Sequence, residues 1–340
     1  MKFSLRLNND LPPESLREIA VAAEGAGFDQ LWISNDLLLR SAPVLVANLA
    51  THTKTLRLGI GVMNPYSVHI AEIAMIAATM QEMTEGRFLL GIGAGSAEFL
   101  DWVGIPRTQP LATTANAVAA LRAWLGHEVS PELLPNWFDE HSTLRFPRTD
   151  PVPVYVGGMG PKMLALAGRL ADGALPLLYP PEHYPAARGQ VLAALNEAGR
   201  DAAVFDLPAC FWVSVSADRD AGRRSLAEKL AYYGISISPV LLAQAGLTPA
   251  RFEQASRLAH RGDLADAAAL IDEQMLSLGI AGGAADVVDR CQTLIRLGAT
   301  HLSFGPPLGP DPVAAVRLLA ERVLPSLAPV DIAAPSGSLA

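Results

Sequence analysis

Strand-like and helix-like segments alternate along nearly the whole chain, and this alternation limits its fold more than any other feature. The strand-like runs are FSLRL (3–7), DQLWIS (29–34), LRLGIGV (56–62), RFLLGIG (87–93), VPVYVGG (152–158), DGALPL (172–177), LPACFWVSVS (207–216) and THLSF (300–304). Residues 14–27, 43–52, 71–83, 113–125, 161–170, 183–198, 284–295 and 312–323 read as helices. On the first of these, Leu16, Ile19, Ala20 and Ala23 share one face. Residues 218–276 read as helical but irregular. Parallel strands need helical crossovers, and eight strand–helix units predict an α/β fold of the (β/α)8 TIM barrel type with long insertion loops. One domain is expected over 1–327. The tail 328–340, rich in Pro, Ala and Ser, reads as disordered. The connections 126–150 and 232–262 are long enough to be expected as lids.

Composition removes several function classes. The formal net charge is -8, which argues against nucleic-acid binding, since that needs a basic surface. No uncharged apolar run approaches the roughly 18–20 residues that span a bilayer. MKFSLRLNND at the N-terminus has no signal-peptide pattern, so neither a membrane partner nor export is expected, and the cytoplasm is the expected location. Cys210 and Cys291 lie far apart, which predicts no disulfide framework.

In a barrel, chemistry sits at the C-terminal ends of the strands. Here those ends carry no H-x-H, no H-E-x-x-H and no carboxylate cluster, so no metal is expected. GIGAGS (91–96) follows a strand, but its spacing is G-x-G-x-G, and it reads equally well as a tight turn at a barrel rim. In VGGMGPKM (156–163) a strand runs into Gly157, Gly158, Met159 and Gly160, then a proline and a helix. Such a segment offers free backbone N–H groups to a phosphate, or is an ordinary strand–helix turn. In Ser34-Asn35-Asp36, Asn35 suits a flat heterocycle, and Asp36 suits positioning a substrate or transferring a proton. Capping of the next helix is the other reading. GIGVMNPYSVH (59–69) opens with two glycines in a strand, each costing roughly 0.5–1 kcal/mol relative to alanine.

Four segments, LWISND (31–36), GVMNPYSVHIAEIAMIAATMQEMTEGRFLLGIGAGS (61–96), VYVGGMGPKMLALAGRLADG (154–173) and LSFGPPLGPDP (302–312), occur in this order. Together they resemble the bacterial luciferase-like superfamily of flavin- and deazaflavin-dependent oxidoreductases, and are most similar to its methylenetetrahydromethanopterin reductase-like members. The resemblance implies hydride transfer between coenzyme F-420, a deazaflavin, and a small organic substrate. An FMN-dependent monooxygenase, using oxygen and reduced FMN from a partner reductase, is the alternative. A flavin-binding protein without turnover is the second alternative.

The resemblance also assigns residues. It implies a cis peptide at Gly61–Val62, on a bulge of the third strand that backs the cofactor ring. Asn35 and Asn64 fall at polar contacts to that ring, and Gly95 among the cofactor-binding residues. Gly157, Gly158, Met159 and Gly160 fall at the cofactor phosphate. Catalytic roles fall on Asp36, where relatives often carry His, and on Ser96 and Glu98, Ser96 standing where relatives often carry an acid. Arg6 stands where the methanopterin reductases carry a glutamate, which implies a different substrate. A homodimer through the helices beside the second and third strands is implied as well.

Overall fold

The computed structural model describes residues 1–147 and 150–327, so the tail expected to be disordered lies outside the described residues. Nine strands form one parallel sheet: β1 (Lys2–Leu7), β2 (Gln30–Ile33), β3 (Arg57–Met63), β4 (Phe88–Ile92), β5 (Val154–Gly157), β6 (Gly173–Leu175), β7 (Ala209–Val215), β8 (Ile280–Gly282) and β9 (His301–Leu308). Their order is β6-β5-β4-β3-β2-β1-β9-β7-β8. Helices α1 (Pro13–Gly25), α2 (Ala42–Ala50), α3 (Ile70–Met83), α4 (Ala97–Trp102), α5 (Pro110–Trp124), α6 (Pro161–Leu170) and α7 (Tyr184–Glu197) follow the first six strands, α4 and α5 both after β4. Between β7 and β8 run α8 (Arg219–Tyr233), α9 (Pro239–Gln244), α10 (Glu253–Arg261), α11 (Leu264–Ala269) and α12 (Glu273–Leu276), and α13 (Ala284–Arg296) and α14 (Pro312–Leu318) flank β9.

Strand side chains alternate between two faces. Leu5, Leu31, Ile60, Leu90, Val154 and Phe211 point outward into the main core beneath the helices. Trp32, Leu89, Tyr155, Leu175 and Cys210 point inward and form a separate cluster inside the curl of the sheet. Beneath that cluster, at the N-terminal ends of the strands, lies a buried polar network. The Asp206 carboxylate accepts from Tyr155 Oη at 2.8 Å and Gln30 Nε2 at 3.0 Å, and faces His301 Nδ1 at 3.0 Å and Lys2 Nζ at 3.5 Å. Gln30 Oε1 in turn accepts from Trp32 Nε1 at 2.8 Å.

The closed eight-stranded barrel expected from the sequence is met in part. The sheet is curled and parallel, but β6 meets β7 through two isolated bridges, Gly173–Asp206 and Leu177–Cys210. Pro176 follows β6 directly and has no N–H to extend a ladder. β8 is an additional three-residue strand that joins β7 only at Val213–Val215, above the point where regular β6 has ended.

The expectation that residues 126–150 form a lid is overturned. This segment joins the end of α5 to the start of β5, so topology places it at the N-terminal ends of the strands, opposite the chemistry-bearing face. It is tied there: Trp124 Nε1 donates to Ser142 O at 2.8 Å, and the Trp124 ring meets Trp137 and Phe138 at 5.8 and 5.3 Å. The excursion α8–α12 leaves from the C-terminal end of β7 instead. There Ser236 Oγ donates to Glu98 Oε2 of α4 at 3.3 Å, so this segment borders the mouth of the sheet.

Candidate active site

The mouth has two unlike halves, and glycine makes the difference. On the β3–β5 side the inward positions are Gly61, Gly91, Gly93 and Gly157. The peptide Gly61–Val62 is cis, as the resemblance implied, and the β3–β4 register slips between Ile60 and Met63. Val62 thereby lies across the backbones of β4 and β5. A Cβ at Gly157 would stand 2.5 Å from Val62 Cγ1, one at Gly93 2.9 Å from Val62 Cγ2, and one at Gly91 2.7 Å from Ile60 O. These glycines therefore leave room for a valine platform. Gly59 serves a different neighbour, since a Cβ there would meet the Trp32 ring at 2.3 Å.

Asn64 and Gly95 flank this platform together. Asn64 is 4% exposed. Its Oδ1 accepts from Tyr66 N at 3.1 Å, Ser67 N at 2.9 Å and Ser67 Oγ at 3.1 Å, fixing the turn after β3. Its Nδ2 donates to no described residue and remains available to a ligand. Gly95 backs that amide: its φ is 69°, and a Cβ there would lie 3.2 Å from Nδ2.

The glycine loop after β5 divides its labour. Gly157 yields to Val62, and Gly158 yields to Met163, whose Cγ would be 2.3 Å from an added Cβ. Only Gly160 faces open space. It caps the N-terminus of α6 with Pro161 next, and the N–H groups of Met159 and Gly160 donate to no described residue. Free donors of this kind at a helix start suit an anion. Met159 is exposed beside a hollow of about 240 Å³, which Pro161, Tyr179, His183 and Leu241 also line. Wider hollows of about 610 and 540 Å³ lie on the outer helical shell, against α13 and between α1 and α14, and do not adjoin this platform.

Asp36 stands just past the C-terminal end of β2, and its surroundings raise its pKa. Burial pushes its carboxyl above the ordinary aspartate value, partly opposed by the Ser34 hydroxyl and the charge of Lys229. Ser34 Oγ lies 3.2 Å from Asp36 Oδ2 and donates to Asn9 Oδ1 at 2.9 Å, while Asn9 Nδ2 donates to Asp36 O at 3.0 Å. Asn35 has the capping role weighed for it, with Oδ1 3.4 Å from the N–H of Ala42 at the start of α2. Ser96 is exposed and caps α4, its Oγ accepting from Phe99 N at 3.4 Å. Glu98 is exposed and paired with Ser236. Among the described residues no hydrogen bond joins Ser96 or Glu98 to Asp36.

The facing half of the mouth is bulky and, Arg6 apart, was not foreseen in the sequence. Arg6 donates to Ser303 Oγ at 3.2 Å and Phe211 O at 3.0 Å. Lys229 of α8 places its ammonium over the rings of Trp212, at 4.9 Å, and Tyr233, at 4.5 Å. Burial pulls the Lys229 ammonium down to about 8, against the charges of Asp10 and Asp36. One signal could have found it. Lys229 lies three residues after Leu226 and four before Tyr233, on a helix face that points inward, where an unpaired charge is out of place.

Comparisons with known proteins show the family to which the chain belongs. Residues 2–301 match the family of luciferase-like monooxygenases. This chain belongs to that family. Within it, the luciferase-like chain is 30% identical over 332 residues to 5,10-methylenetetrahydromethanopterin reductase of Archaeoglobus fulgidus, covering 96% of this chain and 100% of the relative. It is 30% identical to F-420-dependent glucose-6-phosphate dehydrogenase of Nakamurella multipartita, covering 93% of each. Its structure is similar to that of coenzyme F-420-dependent tetrahydromethanopterin reductase from Methanopyrus kandleri, with a TM-score of 0.83 and 25% identity over 95% of this chain and 98% of that one. None of the helices described in this luciferase-like protein is long and apolar enough to cross a membrane.

Proposed function

We propose that this protein is an oxidoreductase that moves a hydride between coenzyme F-420 and a small organic substrate, on a sheet that works as a (β/α)8 barrel. The observation that carries the reading is the bare half of the mouth. Val62 lies on glycine backbone there, Asn64 Nδ2 is uncommitted beside it, and free N–H groups of the Gly158–Gly160 loop lie at the end of the neighbouring strand. A flat ring bearing a phosphate tail fits that donor set. Full-length relatives that reduce methylenetetrahydromethanopterin or use coenzyme F-420 support it.

When bound, a deazaflavin supplies a carbon that gives or takes a hydride. The remaining work falls to this chain. Val62 and Gly61 would back the ring, Asn64 and Asn35 would orient its polar edge, and Met159 and Gly160 would hold the phosphate. Asp36 anchors the substrate on the opposite side, with its carboxyl fixed by Ser34. Arg6 is committed to Ser303 and Phe211. It puts a fixed positive charge where methylenetetrahydromethanopterin reductases are expected to carry glutamate, and the substrate is accordingly a different one.

The monooxygenase description of the family supports a second reading, an enzyme that takes reduced FMN from a partner reductase and uses oxygen. Titrating purified protein with coenzyme F-420 and with FMN separates the two. Micromolar binding of FMN with none of the deazaflavin would sink the first reading. We further propose that two copies associate through α2 and α3, where Val44 and Met75 are exposed at 68% and 47%.

A further inference from the structure

We propose that Lys229 holds the substrate's reacting oxygen and passes it a proton, so that the substrate is a carbonyl compound or the corresponding alcohol. This rests on the hydride-transfer reading above.

The ammonium stands at the mouth, close enough to Asp10, Asp36 and Arg6 for their charges to act on it. It reaches from α8 over the inward face of β7, held on the faces of Trp212 and Tyr233. Aromatic faces attract a cation without using its N–H bonds. Among the described residues no carboxylate or other acceptor takes those bonds, so the donors of Lys229 are uncommitted. The charged groups that act on it are Asp10 and Arg6 at β1 and Asp36 at β2, with Tyr233 on its own helix. Around the ammonium, two cations and two carboxylates leave little net charge. A permanently anionic substrate would gain little there, whereas a neutral one that develops charge on a single oxygen during reaction gains directly. The neighbouring groups are pushed toward neutrality from opposite sides, Asp36 upward and Lys229 down to about 8, a pattern that marks acid–base pairs.

The step balances. In the reducing direction a hydride, which the reduced deazaflavin would supply and be oxidised in doing so, adds to the carbonyl carbon, and the C=O π pair moves onto oxygen. One N–H bond of Lys229 breaks as the new O–H bond forms. Lys229 is left as an amine and regains a proton from solvent. Because the ammonium form is required, reduction should weaken as pH rises through about 8.

The test uses Lys229→Met, which keeps the aliphatic packing, and Lys229→Arg, which keeps the charge but cannot release a proton. Acetone, cyclohexanone and benzaldehyde serve as probes with reduced coenzyme F-420. At least one probe should re-oxidise the cofactor in the wild type. Lys229→Met should lower kcat at least about 100-fold, the low end of general acid catalysis, with cofactor affinity unchanged. Lys229→Arg should recover less than a tenth of the loss. Without cofactor, tryptophan fluorescence of the wild type should show a step near pH 8 that Lys229→Met lacks, and kcat for reduction should fall through the same pH, a coincidence that a merely structural lysine would not produce. Turnover within threefold of wild type in Lys229→Met would overturn the assignment, as would a fluorescence step that persists. Cofactor binding with no oxidation by any carbonyl probe would overturn the substrate class. Failure of coenzyme F-420 to bind would overturn the hydride-transfer reading itself, and this one with it.

Discussion

A methyl group added at residue 59 would land 2.3 Å from the Trp32 ring, so the glycine that looks like a weakness in β3 is set by its neighbour on β2. Gly59→Ala should lower stability by about 1–3 kcal/mol through overpacking, and an unchanged denaturant midpoint would contradict it. The sequence alone marked both Gly59 and Gly61 as odd, but it could not separate them, because the difference lies in a tryptophan 27 positions away that only the β2–β3 register brings close. Asp36 was legible as a polar residue after an apolar strand. Asp36→Ala should cut turnover while leaving cofactor affinity roughly intact, and equal losses in both would show that it holds the cofactor instead. Asp206 was not legible as anything, lying in an ordinary-looking stretch before β7. Hydrogen bonds and charge from His301, with Lys2 and Tyr155 adding to them, outweigh burial and hold its carboxyl well below the usual carboxylate range. A depressed pKa contributes stability above the unfolded value that is lost as pH falls below it. Asp206→Asn should therefore cost about 3 kcal/mol near pH 7. The gap to wild type should shrink below about pH 4, near the unfolded value. A pH-independent difference in melting temperature would rule this out.

At the scale of elements, strands were readable wherever an apolar run ended in glycine or a polar residue, and seven of the nine lie close to the runs FSLRL, DQLWIS, LRLGIGV, RFLLGIG, VPVYVGG, DGALPL and LPACFWVSVS. β9 runs past the expected Phe304 to Leu308, through Pro306 and Pro307. β8 was missed because Ile280-Ala281-Gly282 is too short to show a period of two and owes its strand character to pairing with Val213–Val215. The α4 helix was missed for a related reason: six residues give fewer than two turns, and Ser96 looked chemical where it also acts as a cap. Loop function was misjudged on length alone, since 126–150 and 232–262 are both long but leave opposite ends of the sheet. The end of β5 offers a direct test. Gly157→Ala would push on Val62 Cγ1 at 2.5 Å and tilt the platform. Cofactor affinity should fall about tenfold, equivalent to roughly 1.4 kcal/mol, measured by titration with coenzyme F-420, and unchanged affinity would show that Val62 does not touch the ring.

For the whole molecule, the eightfold alternation was enough to give a curled parallel sheet with helices outside, because few other arrangements bury so many short apolar strands on both faces. Its assembly was only hinted at. Val44→Glu on α2 should leave the protein monomeric if α2 and α3 join two copies, and sedimentation showing an intact dimer would locate the interface elsewhere. The seam between β6 and β7 has a consequence for how this shell breathes. Elsewhere neighbouring strands pair through at least three residues each, but there only the bridges at Gly173 and Leu177 cross. Asp206 sits at one of them, its own N–H and C=O bonded to Asp172 and Ala174 while its carboxylate reaches Lys2, Gln30, Tyr155 and His301. The side chain acts as a rivet through the weakest joint. In deuterium exchange the amides of Ala174 and Leu178 should lose protection before those of Leu31 or Leu90. Acid should widen that lag selectively, so that the ring of strands parts first along this single line.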